Sequence, residues 1–409
     1  MRYLDYKICK IWLLKIITGQ LFLTFQVVSN NTNSYSCDIN SKNDMTPQTP
    51  LLLYANENRF GKIEFIHPSE DNTIHIERGF EIILACPGSY FKSNPDLSIQ
   101  TVQCLGDNLF ADSEEKHNLS YYDCEKAPQT TLRKLGISYL GDSIMHYKIG
   151  FEIDNEIFLE LIDFYFDIKS LLPLYTVHQI TKDLNEDQRS KNIPYKGMPE
   201  HYQKISTNKI YDTKYQKKIF HIYITPQSAE RYINGDHFLA KSNLVPMEDF
   251  LYYPQQEGTY YDVLTAPQFK KFKDGNWKIL EEAIRRLAID RYINLTVYTG
   301  VYGELNITGS PVHMDRHSLG YNVIPVPKIF WKIVKHKNQA IVFIGYNDPF
   351  PSRFSNPARQ ICSPGLCDDL SWVMFDKNPH KGVINCCSYQ DFQKKIYVPH
   401  VKKIKDVLF

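Results

Sequence analysis

Asp236-His237-Phe238-Leu239-Ala240-Lys241, then Thr265-Ala266-Pro267-Gln268, then Gly275-Asn276-Trp277-Lys278-Ile279-Leu280-Glu281 are the blocks on which the reading of this chain turns. The last block opens a segment, Trp277 to Asp290, with apolar residues at 277, 280, 284, 287 and 288. That spacing lays one apolar stripe along a helix. Around it, Ile293 to Tyr302 and Ala340 to Tyr346 read as strands, as does Lys218 to Thr225. Phe151 to Lys169 is rich in aromatic and β-branched residues, which suit strands. Lys182 to Tyr211 is polar and poorly patterned, and reads as a loop with a short helix. No internal repeat is visible.

Composition sets the frame. The chain has 409 residues, 43% hydrophobic and 13% aromatic, with a formal net charge of +1. That is enough for two or three domains with a true core. A near-neutral chain is not a polycation that coats nucleic acid, so any phosphate contact must come from a local patch. Twenty-eight Tyr and 23 Phe point weakly to strands and stacked surfaces.

The start of the chain reads as a targeting segment. Arg2, Lys7 and Lys10 precede a largely apolar Ile11 to Val28, and Ser29-Asn30-Asn31-Thr32 comes next. This predicts a signal peptide over 1–29 and a secreted, extracellular protein. The alternative is a membrane anchor, but Lys15 and Gln20 interrupt the run, and a span needs roughly 20 apolar residues. No later segment is long and apolar enough, so no stable membrane insertion is expected.

Nine cysteines fit export. Cys9 lies in the targeting segment. The rest form two groups, Cys37, Cys86, Cys104 and Cys124, then Cys362, Cys367, Cys386 and Cys387, which predicts disulfides within each region. A zinc site in the second group is the alternative, although adjacent cysteines suit one tetrahedral ion poorly. Sequons at Asn30, Asn118, Asn294 and Asn306 are compatible with a glycosylated chain. Residues 30–127 read as a small Cys-rich β module. Within it Thr73 to Ala85 forms two strand-like runs joined at Arg78-Gly79, and Glu125 to Gln129 reads as a linker to an α+β region over 130–409.

Further short blocks complete a recognisable order: Leu174-Tyr175-Thr176-Val177-His178 before the three quoted above, then Tyr298-Thr299-Gly300-Val301-Tyr302-Gly303, Pro325-Val326-Pro327-Lys328 and Cys386-Cys387-Ser388. Together they resemble the DNA/RNA non-specific endonucleases, most closely the secreted insect branch. The resemblance implies an α+β fold, a ββα-metal (His-Me finger) endonuclease domain with a central antiparallel sheet, preceded by a disulfide-stapled β-rich module. It implies a histidine that activates water as general base and a divalent ion, usually Mg2+, that absorbs charge at the scissile phosphate. It leaves a homodimer open.

Carried onto this sequence, the resemblance makes His237 the active-site histidine and Glu281 the helix glutamate. The family histidine ends an Asp-Arg-Gly-His motif, whereas Asn234-Gly235-Asp236 precede His237 here. Counting three back from Pro267, the position read as the metal asparagine holds Leu264, which cannot ligate magnesium. A second family asparagine, before the tryptophan, falls on Lys273. Asp262 and Thr265 are substitute oxygens, off the expected position. Lys241, Gln268, Lys270, Lys271 and Lys273, with Lys278, Arg285 and Arg286 beyond them, are candidate nucleic-acid contacts. Met314-Asp315-Arg316-His317 looks like the catalytic motif, but it comes after the helix and lacks the glycine, so it is read as chance.

Three functions are consistent with these residues: a secreted DNA- or RNA-binding protein with weak or lost phosphodiester hydrolysis, a working Mg2+-dependent endonuclease using His237, and a secreted interaction protein that no longer meets nucleic acid.

Overall fold

Eight short strands succeed one another at the start of the described chain: β1 (Ser36–Asn40), β2 (Leu51–Asn56), β3 (Lys62–Phe65), β4 (Thr73–Glu77), β5 (Glu81–Ala85), β6 (Ile99–Gly106), β7 (Leu109–Asp112) and β8 (Glu115–Asn118). Alternation decides their faces. In β4, Ile74 and Ile76 are buried while His75 and Glu77 face out. β1 pairs antiparallel with β4, and the other six form a sheet in the order β3-β2-β5-β6-β7-β8. Gly79 turns β4 into β5 at φ +89°, a conformation that glycine adopts freely. The disulfides Cys37–Cys104 and Cys86–Cys124 staple these strands. The structure is a computed structural model. It describes residues 35–56, 62–69, 71–112, 115–184, 193–198, 205–316, 320, 322–350, 361–362, 365–401 and 403–409. The signal-peptide reading, Cys9, Asn30 and His317 lie outside the described residues.

Longer strands build the second sheet: β9 (Thr131–Ile137), β10 (Ile144–Glu152), β11 (Phe158–Asp167) and β12 (Leu172–Ile180). The aromatic stretch from 151 to 169 is thus the end of one strand and the whole of the next. β13 (Leu239–Asn243) and β14 (Thr265–Phe269) then form a separate hairpin. β15 (Leu295–Glu304) returns to the sheet. The short pairs β16 (Asn306–Ile307) with β17 (Ser310–Pro311), and β18 (His313–Arg316) with β19 (Asn322–Pro325), lie off it. β20 (Pro327–His336), β21 (Gln339–Tyr346), β22 (Val383–Cys387) and β23 (Asp406–Val407) complete it. Its order is β22-β21-β20-β15-β12-β11-β10-β9, antiparallel except that β23 runs parallel to β21. This is the α+β architecture with a central antiparallel sheet that the resemblance implied.

One element differs from expectation. Lys218 to Thr225 is not a strand: a helix spans Thr213–Tyr223, and another spans Pro226–Tyr232. Gln216, Ile219 and Phe220 are buried, which is helical spacing, and the Asp212 side chain caps the first turn. The apolar run is too short to reveal its period, and the cap upstream decides it.

The second cysteine group is bridged as Cys362–Cys387 and Cys367–Cys386, so it forms two disulfides and not a zinc site. The strand-rich start packs directly on the larger α+β region. Phe65 meets Phe151 and Tyr252 edge-on or tilted at 6.0 and 6.2 Å, and His67 pairs with Asp183 at 2.9 Å. Tyr35–Phe409 is one compact unit. Among the described residues no helix is long and apolar enough to cross a membrane.

Candidate nucleic-acid interface and active site

The β13–β14 hairpin leads into a helix. Leu239 pairs with Phe269 at one end and Asn243 with Thr265 at the other. A short turn (Lys270–Phe272) and one wide π turn (Lys273–Trp277) then start the finger helix, Lys278–Asp290. Leu280, Ile284, Leu287 and Ala288 bury its apolar stripe. Trp277 is fully buried against Phe272 and Phe330. Strand, strand and helix give the ββα finger to which the sequence blocks pointed.

His237 stands where the chain enters β13. Asn234 fixes this turn: its Oδ1 accepts from the backbone N–H groups of Asp236 and His237, both at 2.9 Å, and its own backbone N–H donates to the His237 carbonyl. The imidazole lies 5.0 Å from the Phe350 ring and 6.3 Å from the His380 ring. Its Nδ1 is buried without a hydrogen-bond partner. Burial and the nearby Lys271 ammonium push its pKa below the ordinary histidine value, with Asp236 opposing. The ring is therefore neutral at pH 7.

Two buried asparagines bring these neighbours to His237. Asn347 accepts from the Phe269 N–H at 2.9 Å and donates to the carbonyls of Pro267 and Pro327 at 3.1 and 2.9 Å. This ties the end of β14 to the start of β20 and launches the chain toward Phe350. Asn276 donates to the carbonyls of Asp376 and Gly382 and accepts from the Asp376 N–H. That clamps the segment carrying His380 and Lys381 against the finger. Gly275 permits the approach, since a Cβ there would stand 2.4 Å from the Lys381 carbonyl oxygen. The sequence blocks contained Asn276 and Gly275, but nothing local marked their partners about a hundred residues away.

The rim of His237 carries four basic side chains, three of them paired with aspartates. Lys271 pairs with Asp236 at 3.8 Å, Lys270 pairs with Asp274, and Lys381 pairs with Asp376 at 2.6 Å. All six side chains are substantially exposed. Such pairs are worth little and exchange readily. Arg231 covers the Phe350 ring, its guanidinium carbon 4.2 Å from the ring centroid. Arg231, His380, Lys381 and Phe350 were not found from sequence, because they come from segments outside the quoted blocks.

The other candidates distribute unevenly. Lys273 and Glu281 line a cleft of about 230 Å³ beside Ser242, Asn243 and Tyr260, and His237 is not among its lining residues. Lys241 is largely buried, 2.7 Å from Asp262 and over the Tyr195 ring. Gln268 is fully buried and accepts from the Ser242 hydroxyl at 2.7 Å, which leaves it no surface for a nucleic acid. Leu264 is fully buried at the far end of the hairpin, where its carbonyl accepts from the Leu244 N–H. Seven residues along an extended strand separate that point from His237, roughly 20 Å. The structure does not bring Leu264 to His237, whereas Lys273 comes within one helical turn of Lys270, whose N–H donates to the Phe238 carbonyl.

Glu281 faces inward. Its carboxylate lies 3.4 Å from Lys332 Nζ on β20, which also donates to Thr299 Oγ1 at 2.9 Å. Beneath it His178, Asp249 and Arg285 continue the buried polar network. Burial raises the Glu281 pKa against the pull of Lys332. Magnesium takes hard oxygen ligands. Around His237 the neighbours are a lysine, a histidine, a phenyl ring and the exposed Asp236. In the cleft, Glu281, Glu282 and Asp274 each have a lysine partner. Among the described residues no group of three or more acidic, histidine or cysteine side chains is placed to hold an ion. These residues do not fit the divalent ion that the resemblance implied.

The sequence is similar to known proteins along most of its length. A salivary endonuclease of Lutzomyia longipalpis is 27% identical over 412 residues, which cover 97% of this chain and 91% of that protein. Salivary protein Tsal2A of Glossina morsitans morsitans is 24% identical over 369 residues, covering 88% and 91%. Salivary protein Tsal1 of the same fly is 24% identical over 395 residues, covering 92% and 94%. The family model for DNA/RNA non-specific endonucleases matches residues 142–391, which contain most of the central sheet, the finger and His237, and the chain belongs to that family.

Proposed function

We propose that this chain is a secreted protein that binds DNA or RNA across the lysine-bearing rim of His237 and hydrolyses phosphodiesters weakly or not at all. The observation that carries the reading is the company His237 keeps. Its ring is bounded by Lys271, His380 and Phe350, its Nδ1 has no hydrogen-bond partner, and the helix glutamate is tied to Lys332. A general base needs a group that orients its ring, and a departing alkoxide needs a nearby positive charge held in place. Among the described residues neither a carboxylate orienter nor an oxygen cage accompanies this histidine. Lys270, Lys271, Lys381 and Arg231 remain suited to phosphates, which attract cations whatever the base sequence.

One observation favours an active Mg2+-dependent endonuclease instead. The depressed pKa of His237 keeps its ring unprotonated at pH 7, the form a base requires.

The binding half of the proposal is tested by gel shift on duplex DNA and on RNA over a salt series. The expected result is a shift that weakens steeply with salt. Each of Lys270→Glu, Lys271→Glu and Lys381→Glu is expected to weaken it about tenfold and to lower the salt slope by about 1. A shift indifferent to salt and to all three substitutions would overturn the interface.

A further inference from the structure

A second cleft, which shares no lining residue with the His237 rim, lies between the β1–β2 connection and the helix Tyr253–Glu257. Its volume, about 480 Å³, is within the range of roughly 300–1,000 Å³ typical of small-molecule sites. Leu51, Leu52 and Leu251 are all nearly fully buried and form an apolar floor, and Phe65 and Tyr252 add aromatic walls. Three polar side chains of these walls are already engaged within the protein. Tyr252 donates its hydroxyl to the Ile66 carbonyl, Gln256 donates to the Phe250 carbonyl at 3.1 Å, and Thr49 Oγ1 accepts from the Thr46 N–H at 2.8 Å. The lining is mixed, with somewhat more apolar than polar surface, and its apolar part lies at the floor and the aromatic walls. Of the residues lining the cleft, the one that carries a charge is Lys42, on its exposed rim. Exposed charges exchange partners at little cost.

We propose that this cleft binds one small molecule with an apolar, ring-bearing body and a single anionic head, the body against Leu52, Leu251 and Phe65 and the head at Lys42. The site is independent of the nucleic-acid interface. It is formed jointly by the disulfide-stapled strands and the endonuclease fold, so it exists only where the two pack together.

The probe is 1-anilinonaphthalene-8-sulfonate, with neutral N-phenyl-1-naphthylamine as its uncharged counterpart, on the full chain with disulfides intact. The expected result is saturable, blue-shifted fluorescence at one site per chain, with Kd on the order of 10 µM, and binding of the neutral probe at least about fivefold weaker. Met45→Trp, which fills the cleft from a half-buried rim position, is expected to abolish the signal. Lys42→Glu is expected to remove the preference for the sulfonate, and Lys42→Arg to keep it. Circular dichroism establishes that each variant is folded. Absence of saturable binding, unchanged binding in folded Met45→Trp, or equal affinity for the two probes would each overturn the proposal.

Discussion

His178 Nε2 lies 2.8 Å from one carboxylate oxygen of Asp249, and Arg285 Nη1 lies 3.0 Å from the other. A strand of the central sheet, a connecting loop and the finger helix are thereby joined through one buried carboxylate. Burial alone would raise the Asp249 pKa, but the hydrogen bond from His178 and the nearby Arg285 and Lys332 cations bring it below 3.8. Removing the carboxylate takes away the hydrogen-bonded partner of the buried Arg285. Asp249→Ala is therefore expected to cost about 3–5 kcal/mol in denaturant unfolding. A loss below about 1 kcal/mol would contradict the network.

The same carboxylate sets an acid dependence. A depressed folded pKa gives stability that is fully present above the unfolded value near 3.8 and is lost as pH falls through the folded value. Wild-type unfolding free energy is expected to fall more steeply below about pH 4 than that of Asp249→Asn. Parallel curves for the two would contradict the assignment.

Gly275 packs directly against the Lys381 backbone of the His237 rim. The added Cβ in Gly275→Ala would collide with the Lys381 backbone, pushing away the segment that carries His380. Nucleic-acid affinity is expected to fall several-fold while the central sheet keeps its far-ultraviolet signature. Full affinity in a folded Gly275→Ala protein would show that the segment is not part of the interface.

His237 is expected to titrate below 6.5 by NMR, because burial and Lys271 both disfavour the imidazolium. Lys271→Gln removes the cation and leaves the burial. Its expected effect is an upward shift of the His237 midpoint, still short of 6.5. A downward shift would contradict the placement of Lys271.

Much of this was legible in sequence, for identifiable reasons. The finger helix announces itself through the period of 277, 280, 284, 287 and 288, and the two cysteine groups bridge internally as their clustering implied. The helix over Thr213–Tyr223 was missed because so short an apolar run has no readable period without its Asp212 cap. The site was harder. Its block makes His237 the candidate, but its neighbours Phe350 and His380 arrive through Asn347 and Asn276, whose partners lie far away in sequence. Likewise, whether Glu281 faces solvent or Lys332 depends on which side of the helix meets β20, and that is settled by packing.

The C-terminal disulfides hold the sheet edge behind this rim. Cys362–Cys387 closes a separation of 25 residues. The pair Cys362→Ser and Cys387→Ser is expected to lose about 3 kcal/mol of stability, with a lower melting temperature by calorimetry. An unchanged melting temperature would mean that packing and the Cys367–Cys386 disulfide hold β22 without it.

Cleavage of DNA and RNA by the full, disulfide-intact chain over a magnesium titration tests the central claim most directly, with His237→Ala run beside the wild type. The account predicts a salt-sensitive complex in both proteins and at most slow cleavage. Fast, many-turnover magnesium-dependent cleavage that His237→Ala abolishes would contradict it.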